Sequence, residues 1–496
     1  MSTPEQYDAI IIGSGEGGKY LAWHLASQGK KVANIEDKRL GGACPNIACL
    51  PSKNVIHSAK VASFFQRGAE FGIVHGKWHV DMEAVSARRQ RMIDGLRDMH
   101  LNNYAKSKAE IVMGFGRFLA EKTVEVALNA GGTRTLRSDY IFLDTGSRAT
   151  IDPIAGLAES APMTHIEALE LTILPEHLLV LGGGFIGLEL AQAMRRFGSN
   201  VTIVERNPTL VHREDPDVTE ALHQLFADEG IDIVTNASVT RVEGTSGKSV
   251  IVHLGDGARL EGTHLLVATG RTPNTQNMGL DLVGIKTTPS GHFQVNDRLE
   301  TTAPGVWAMG DSAGSPHFTH ISFDDFRIIR DNLAGANRTT KNRHVPSVTF
   351  TDPELSHVGL TENEAKKQGT AYRLGKIPMA AALRTRTLDE TRGFMKVLIA
   401  PDDRILGFTA LGPGVGELLP VIQLAMSADL PYTAVHNLIL THPTLSEGFI
   451  NLFNTAQRNP HSNQTQANHS IPTNGRATSD PLSQQGTHAT KWPPHA

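Results

Sequence analysis

The chain has 496 residues, enough for about three domains, and its 40% hydrophobic and 20% charged residues are ordinary for a globular protein. A formal net charge of -4 carries no basic bias toward nucleic acid, and no uninterrupted apolar run is long enough to span a membrane. The polar stretch Met1–Asp8 enters a strand at once and reads as no signal peptide, and the use of only two cysteines fits a reducing compartment, the cytoplasm.

The apolar run Tyr7 to Ile12 predicts a buried strand, and Lys19 to Gln28 predicts a helix. Between them stands Gly13-Ser14-Gly15-Glu16-Gly17-Gly18, a GxGxxG turn in the strand–helix context that gives it meaning. Gly13 makes the tight turn, Gly15 admits a pyrophosphate to the backbone, and Gly18 lets helix and strand pack closely. The next strand, Lys31 to Ile35, ends at Glu36, placed to accept hydrogen bonds from an adenosine ribose.

Gly41-Gly42-Ala43-Cys44-Pro45-Asn46-Ile47-Ala48-Cys49-Leu50-Pro51-Ser52-Lys53 holds both cysteines of the chain. A disulfide closing so short a loop adds little stability, so the spacing suits a bond that is made and broken. The glycines permit a tight turn, and a helix from Ser52 to Phe65 is expected, with Pro51 in its first turn. A helix N-terminus beside the thiols favours the reactive thiolate. Zinc needs more ligands than this pair supplies.

Helices with loops between them are expected from Val55 to Lys108, then a small β-rich part opened by Gly114 and Gly116, with Thr123 to Ala127 alternating as a strand. Tyr140 to Leu143 leads into Asp144-Thr145-Gly146-Ser147, a chain crossover in which a carboxylate at Asp144 must be paired or near solvent. Leu178 to Leu181 followed by Gly182-Gly183-Gly184-Phe185-Ile186-Gly187 repeats the strand–GxGxxG–helix unit, implying a second nucleotide. Its following strand, Val201 to Val204, ends at Glu205-Arg206. Glu205 sits where an acid holds a ribose 2′-hydroxyl and favours NADH. Leu265 to Asn274, with Gly270, matches a second crossover, and Thr302 to Asp311 contains Ala308-Met309-Gly310-Asp311. From Val348 onward, alternation and glycine turns at Gly407 and Gly412 to Gly416 suit an antiparallel sheet backed by helices. Thr441-His442-Pro443-Thr444-Leu445-Ser446-Glu447 pairs a titratable imidazole with a carboxylate able to orient it. Arg458 to Ala496, rich in Asn, Gln, Ser, Thr, Pro and His, reads as a disordered tail.

Six motifs in this order, over about residues 7 to 457, resemble the class I pyridine nucleotide-disulfide oxidoreductases: dihydrolipoamide dehydrogenase, glutathione reductase, mercuric reductase and relatives. The resemblance implies an α/β chain with two Rossmann-like domains, for FAD and NAD(P), and a C-terminal α+β dimerisation domain. The expected parts are 1–150 and 275–345 for FAD, 151–274 for NAD(P), 346–457 for the interface, and 458–496 for the tail. FAD would be held by Gly13, Gly15, Gly18, Glu36, Gly42, Lys53, Thr145, Gly146, Gly310 and Asp311, the last accepting from the ribitol chain. The nicotinamide coenzyme would be held by Gly182, Gly184, Phe185, Gly187, Glu205, Arg206 and Gly270, with Phe185 as an aromatic gate. By family position Arg206 and Ala191 resemble NADPH users and Gly187 resembles NADH users, so dual use with a lean to NADH is expected.

The same resemblance assigns Cys49 as the thiol nearer the flavin, Cys44 as the interchange thiol, and Lys53 paired with Glu189 beside the flavin. His442, backed by Glu447, would act as acid–base in the partner subunit's site. A homodimer reducing a small disulfide is implied, with no resident metal. A copper or mercuric ion reductase and a redox sensor of low turnover stand as alternatives. The family usually carries Thr, Gly and Ala where Ala43, Ala48 and Asp144 stand.

Overall fold

A computed structural model describes residues 3–458; Arg458, the first residue of the tail expected to be disordered, ends a helix, and the rest of that tail lies outside the described residues. The first layer is an eight-stranded sheet. Its parallel part places Ala9–Ile12 between Val32–Glu36 and Ile141–Leu143, with Val306–Ala308 outside the latter. These strands are buried on both faces, one against helices through Leu21, Tyr104 and Ile329, the other against the antiparallel strands and the following segment through Phe118, Val124, Val126 and Phe293. Helix α1 (Glu16–Ser27) follows the first glycine turn. The single-turn helix α2 (Ala43–Asn46) precedes α3 (Cys49–Gln66), and α4 (Met82–Ser107) completes the helical segment. Strand Glu110–Ala120 joins two motifs, lying parallel to Val32–Glu36 and antiparallel to Thr123–Leu128.

Past the short helix α5 (His165–Leu169), a second parallel sheet repeats the plan: Asp232–Val234, Asn200–Val204, His177–Leu181 and His264–Val267 in spatial order, with α6 (Phe185–Phe197) after its glycine turn. A three-stranded antiparallel meander, Val239–Thr245, Ser249–Leu254 and Arg259–Gly262, flanks it. The two chain crossovers pair with each other, Ser147–Ala149 antiparallel to Arg271–Pro273. The last layer is a five-stranded sheet, antiparallel throughout, whose apolar face packs on Leu419–Ser427 and Gly448–Arg458 through Phe408, Ile422, Phe449 and Phe453.

Two helices begin three residues earlier than expected: α1 begins at Glu16 rather than Lys19. α3 begins at Cys49 rather than Ser52. Pro51 is tolerated in the first turn because its missing N–H would find no partner inside the helix there. The thiol of Cys49 therefore belongs to the first helical residue. Among the described residues no helix is long and apolar enough to cross a membrane.

Candidate active site

A cavity of about 1640 Å³ runs from the first glycine turn to the second. Gly13, Gly15, Glu36, Gly42, Thr145, Gly146 and Asp311 line its first end, and Gly184, Phe185 and Gly270 its second. Cys44, Cys49, Lys53 and Glu189 lie along the same wall. The remaining predicted glycines stand behind it. A Cβ on Gly18 would come within 2.4 Å of Gly13 O, and one on Gly187 within 2.1 Å of Gly182 O. They are packing glycines, which let each helix close onto its strand. The cysteine segment is drawn equally tight: a Cβ on Gly42 would lie 2.5 Å from Gly15 Cα.

The wall fits a dinucleotide. Its backbone turns offer N–H groups at two helix N-termini, where anions bind. Nothing lies within 4 Å of where a Cβ on Gly184 would point. Thr145 Oγ1 and Thr269 Oγ1, in the two crossovers, are buried without a partner among the described residues.

Both cysteines are free thiols. Cys44 donates a hydrogen bond to Cys49, and Cys49 Sγ lies 3.2 Å from Thr319 Oγ1. The bond from Cys44 draws Cys49 down to about 6, against burial and with help from Thr319 and the Lys53 charge. The same bond, with burial, pushes Cys44 up. The helix N-terminus at Cys49 acts in the same direction on that thiol. Titrating the reduced protein by thiolate ultraviolet absorbance is expected to show one thiolate, present above about pH 6 and lost as pH falls through that value, and absent in Cys49→Ser. No step near that pH in the wild-type protein would contradict the assignment.

Lys53 Nζ and Glu189 Oε2 are 2.7 Å apart, brought together by packing of α3 on α6. Glu189 Oε1 accepts from Phe350 N–H at 2.8 Å, and Lys53 Nζ lies 4.6 Å above the Phe350 ring. The C-terminal layer thus helps to hold this pair in place. Asp311 accepts from Ser147 Oγ, which in turn accepts from Arg271 Nε at 2.7 Å. Glu36 lines the cavity, yet its carboxylate already accepts from Ser14 N and Oγ and from Lys38 and Arg39 N–H. A ribose would have to share those lone pairs.

Glu205 is 6% exposed and accepts from Gly183 N–H at 2.7 Å and from Asn207 N and Nδ2 at 2.7 and 2.6 Å. It ties the glycine turn to the following loop and does not line the cavity; Arg206 is exposed outside it, whereas Arg213 is in its wall. His442 and Glu447 also lie outside it. His442 Nδ1 is 3.0 Å from both Glu447 carboxylate oxygens, and the imidazole is 63% exposed. Thr319, Phe350, Arg271 and Arg213 were not singled out in the sequence. No spacing rule links them to their partners, except that Arg271 follows Gly270 in the crossover.

Two nucleotide turns facing one dithiol define a flavoprotein oxidoreductase with FAD and NAD(P)H as cofactors. Residues 7–325 match the model for pyridine nucleotide-disulphide oxidoreductases, and 345–452 match its dimerisation domain. The chain belongs to this family. It is 34% identical over 455 residues to the probable pyridine nucleotide-disulfide oxidoreductase RclA of Escherichia coli, covering 90% of this chain and 99% of that protein. It is 33% identical over 453 residues to mitochondrial dihydrolipoyl dehydrogenase of Dictyostelium discoideum, covering 89% and 93%. Among solved structures, the Cu(II) complex of the HOCl-induced flavoprotein disulfide reductase RclA from Escherichia coli aligns at TM-score 0.84 and 34% identity, covering 91% and 99%.

Proposed function

We propose that the protein is a cytoplasmic homodimer that reduces a small disulfide, with His442 of the partner subunit completing each site. The observation that carries this reading is the placement of the dithiol: Cys44 and Cys49 lie together in the wall of the cavity that both glycine turns line, with Cys49 at the first residue of α3. Bound FAD supplies the two-electron relay between nicotinamide and the Cys44–Cys49 disulfide. Once the pair is reduced, Cys44 passes its proton to the imidazole of the partner's His442 and attacks one substrate sulfur, forming a mixed disulfide and breaking the substrate S–S bond. The displaced sulfur takes a proton from the imidazolium, which Glu447 orients through Nδ1. Cys49 then attacks Cys44 Sγ, restoring the disulfide and releasing the second substrate sulfur as a thiolate, which takes a proton from solvent. Lys53 and Glu189 set the charge beside Cys49. An exposed His442 outside its own chain's cavity supports service to a second copy, and the chain's dimerisation domain supplies the means. A reducing compartment keeps such a dithiol working.

A second reading has its own observation. His317 and His320 line the same cavity as the two thiols, and thiolate with imidazole is a donor set that suits copper. The similar RclA is known as a Cu(II) complex. Copper ion would then be the acceptor.

The deciding assay is the initial rate of NADH and NADPH oxidation by FAD-loaded protein with lipoamide, beside His442→Ala. A lipoamide rate that drops about 10²–10⁴-fold in the variant is expected from loss of an acid–base group. No lipoamide rate, with the flavin still reduced and Cu(II) consumed, would replace the first reading with the second. The expected lean is to NADH, with NADPH also used.

A further inference from the structure

The chain carries its own control for the first nucleotide turn. Gly13 and Gly182 have φ of 101° and 108°, and a Cβ on either would strike the carbonyl oxygen of a crossover residue, Asp144 at 2.1 Å and Ala268 at 2.5 Å. Asp144 and Ala268 therefore hold the same place in the two units. The second turn rests on a methyl group, the first on a carboxyl.

That carboxyl is built in. Asp144 is 6% exposed and forms part of the cavity wall. Gly15, the N-cap of α1, has no side chain to cap with, and Asp144 Oδ2 replaces it by accepting from Gly18 N–H at 2.7 Å. Gly17 N–H is taken by Ser322 Oγ at 3.0 Å. Asp144 also reaches the second FAD segment, its Oδ1 lying 3.2 Å from where a Cβ on Gly310 would stand. The side chain thus sits between the two turns assigned to FAD.

The charges facing it do not favour a carboxylate. Glu16 and Lys19 on α1, Asp311 on the second FAD segment and Tyr104 on α4 are its titratable neighbours. Lys19 Nζ is committed to Glu16 at 2.6 Å. Burial pushes Asp144 well above the usual carboxylate range, Gly18 N–H opposes this, and Asp311 adds to it. An anionic diphosphate at this floor would repel an ionised carboxylate and accept a hydrogen bond from a neutral one.

We propose that Asp144 is a positioning residue for FAD: in the loaded protein it is a neutral carboxylic acid that accepts from Gly18 N–H and donates its own proton to the dinucleotide diphosphate. The inference rests on FAD occupying the first turn. Where the free protein carries Asp144 ionised, binding takes up one proton, so affinity is constant at low pH and weakens by up to about tenfold per pH unit above the free-protein value. Asn supplies a neutral donor and acceptor of the same shape. Ala reproduces what Ala268 already does in the second turn, so the fold should tolerate it.

The test is FAD binding to apoprotein, followed by flavin fluorescence from about pH 5 to about pH 9, with infrared difference spectra of the loaded proteins. Asp144→Asn is expected to bind within about threefold of wild type at the acid end and to show no proton linkage; Asp144→Ala is expected to bind about tenfold or more weakly. A carboxylic-acid C=O band in loaded wild-type protein, missing from both variants, supports the proposal whether or not the wild-type affinity bends with pH. Absence of that band, or wild-type affinity in Asp144→Ala, overturns it. A wild-type protein that binds no FAD at any pH overturns the flavin assignment itself, and so is distinguishable.

Discussion

Cys44→Ser is expected to leave reduction of the flavin by nicotinamide intact and to lower disulfide turnover by at least about 10³-fold, the scale on which a catalytic nucleophile matters. The reason lies in how the two thiols share one proton. Cys49 is held toward the thiolate by the bond from Cys44, by Thr319 and by the Lys53 charge, at the first residue of α3. In the proposed scheme that thiolate is the resting store of the electrons. In the same scheme Cys44, on the separate turn of α2, is the attacking group once its proton leaves. Serine can donate the same hydrogen bond but cannot form a disulfide. Stopped-flow flavin bleaching beside steady-state turnover separates the two half-reactions. Full turnover in the variant would contradict the split of roles.

Lys396→Met is expected to destabilise the protein by about 3–5 kcal/mol, the usual consequence of removing one partner from a buried ion cluster. Lys396 is fully buried, with Nζ at 2.7 Å from Asp215, 2.9 Å from Asp217 and 3.1 Å from Glu362. Asp215 and Asp217 belong to the second nucleotide unit, Glu362 and Lys396 to the C-terminal layer, so the cluster joins the two. Burial alone would raise Asp215, but hydrogen bonds from Lys396, Asn363 N–H and Glu362 N–H hold it below its usual value. Asp217 is lowered against burial by Lys376 and Lys396. Because these folded-state values are depressed, their stabilisation is present above about pH 4 and fades as pH falls below it. The gap between wild type and variant in urea unfolding should narrow in acid for the same reason. A loss under about 1 kcal/mol near neutrality would show that the three carboxylates relax without the lysine.

The nucleotide turns were legible because the constraint is local. A strand, a turn with φ near 100° at Gly13 and Gly182, and a helix close enough to need Gly18 and Gly187 all lie within twenty residues of chain. The cysteine pair was legible for the same reason, although α3 starts three residues earlier than expected because a proline in a first helical turn carries no penalty. Glu205 shows what a strand end leaves out: besides the ribose contact expected of it, its carboxylate accepts from Gly183 and Asn207, as Glu36 accepts from Ser14 in the first unit. Asp144, left open between a partner and solvent, turns out to be buried and paired with Gly18.

The sequence by itself determined the two dinucleotide units, the redox dithiol and the histidine–glutamate pair, since each depends on residues a few positions apart. Only the tertiary structure decided what stands beside Cys49, what holds Lys53 and Glu189, and what Asp144 touches. Those answers come from Thr319, Phe350 and Gly18, which lie 270, 161 and 126 residues from the groups they contact. Hydrogen bonds and electrostatic fields act through space, and no periodicity along the chain records which distant donor the packing will bring to a buried acid or thiol.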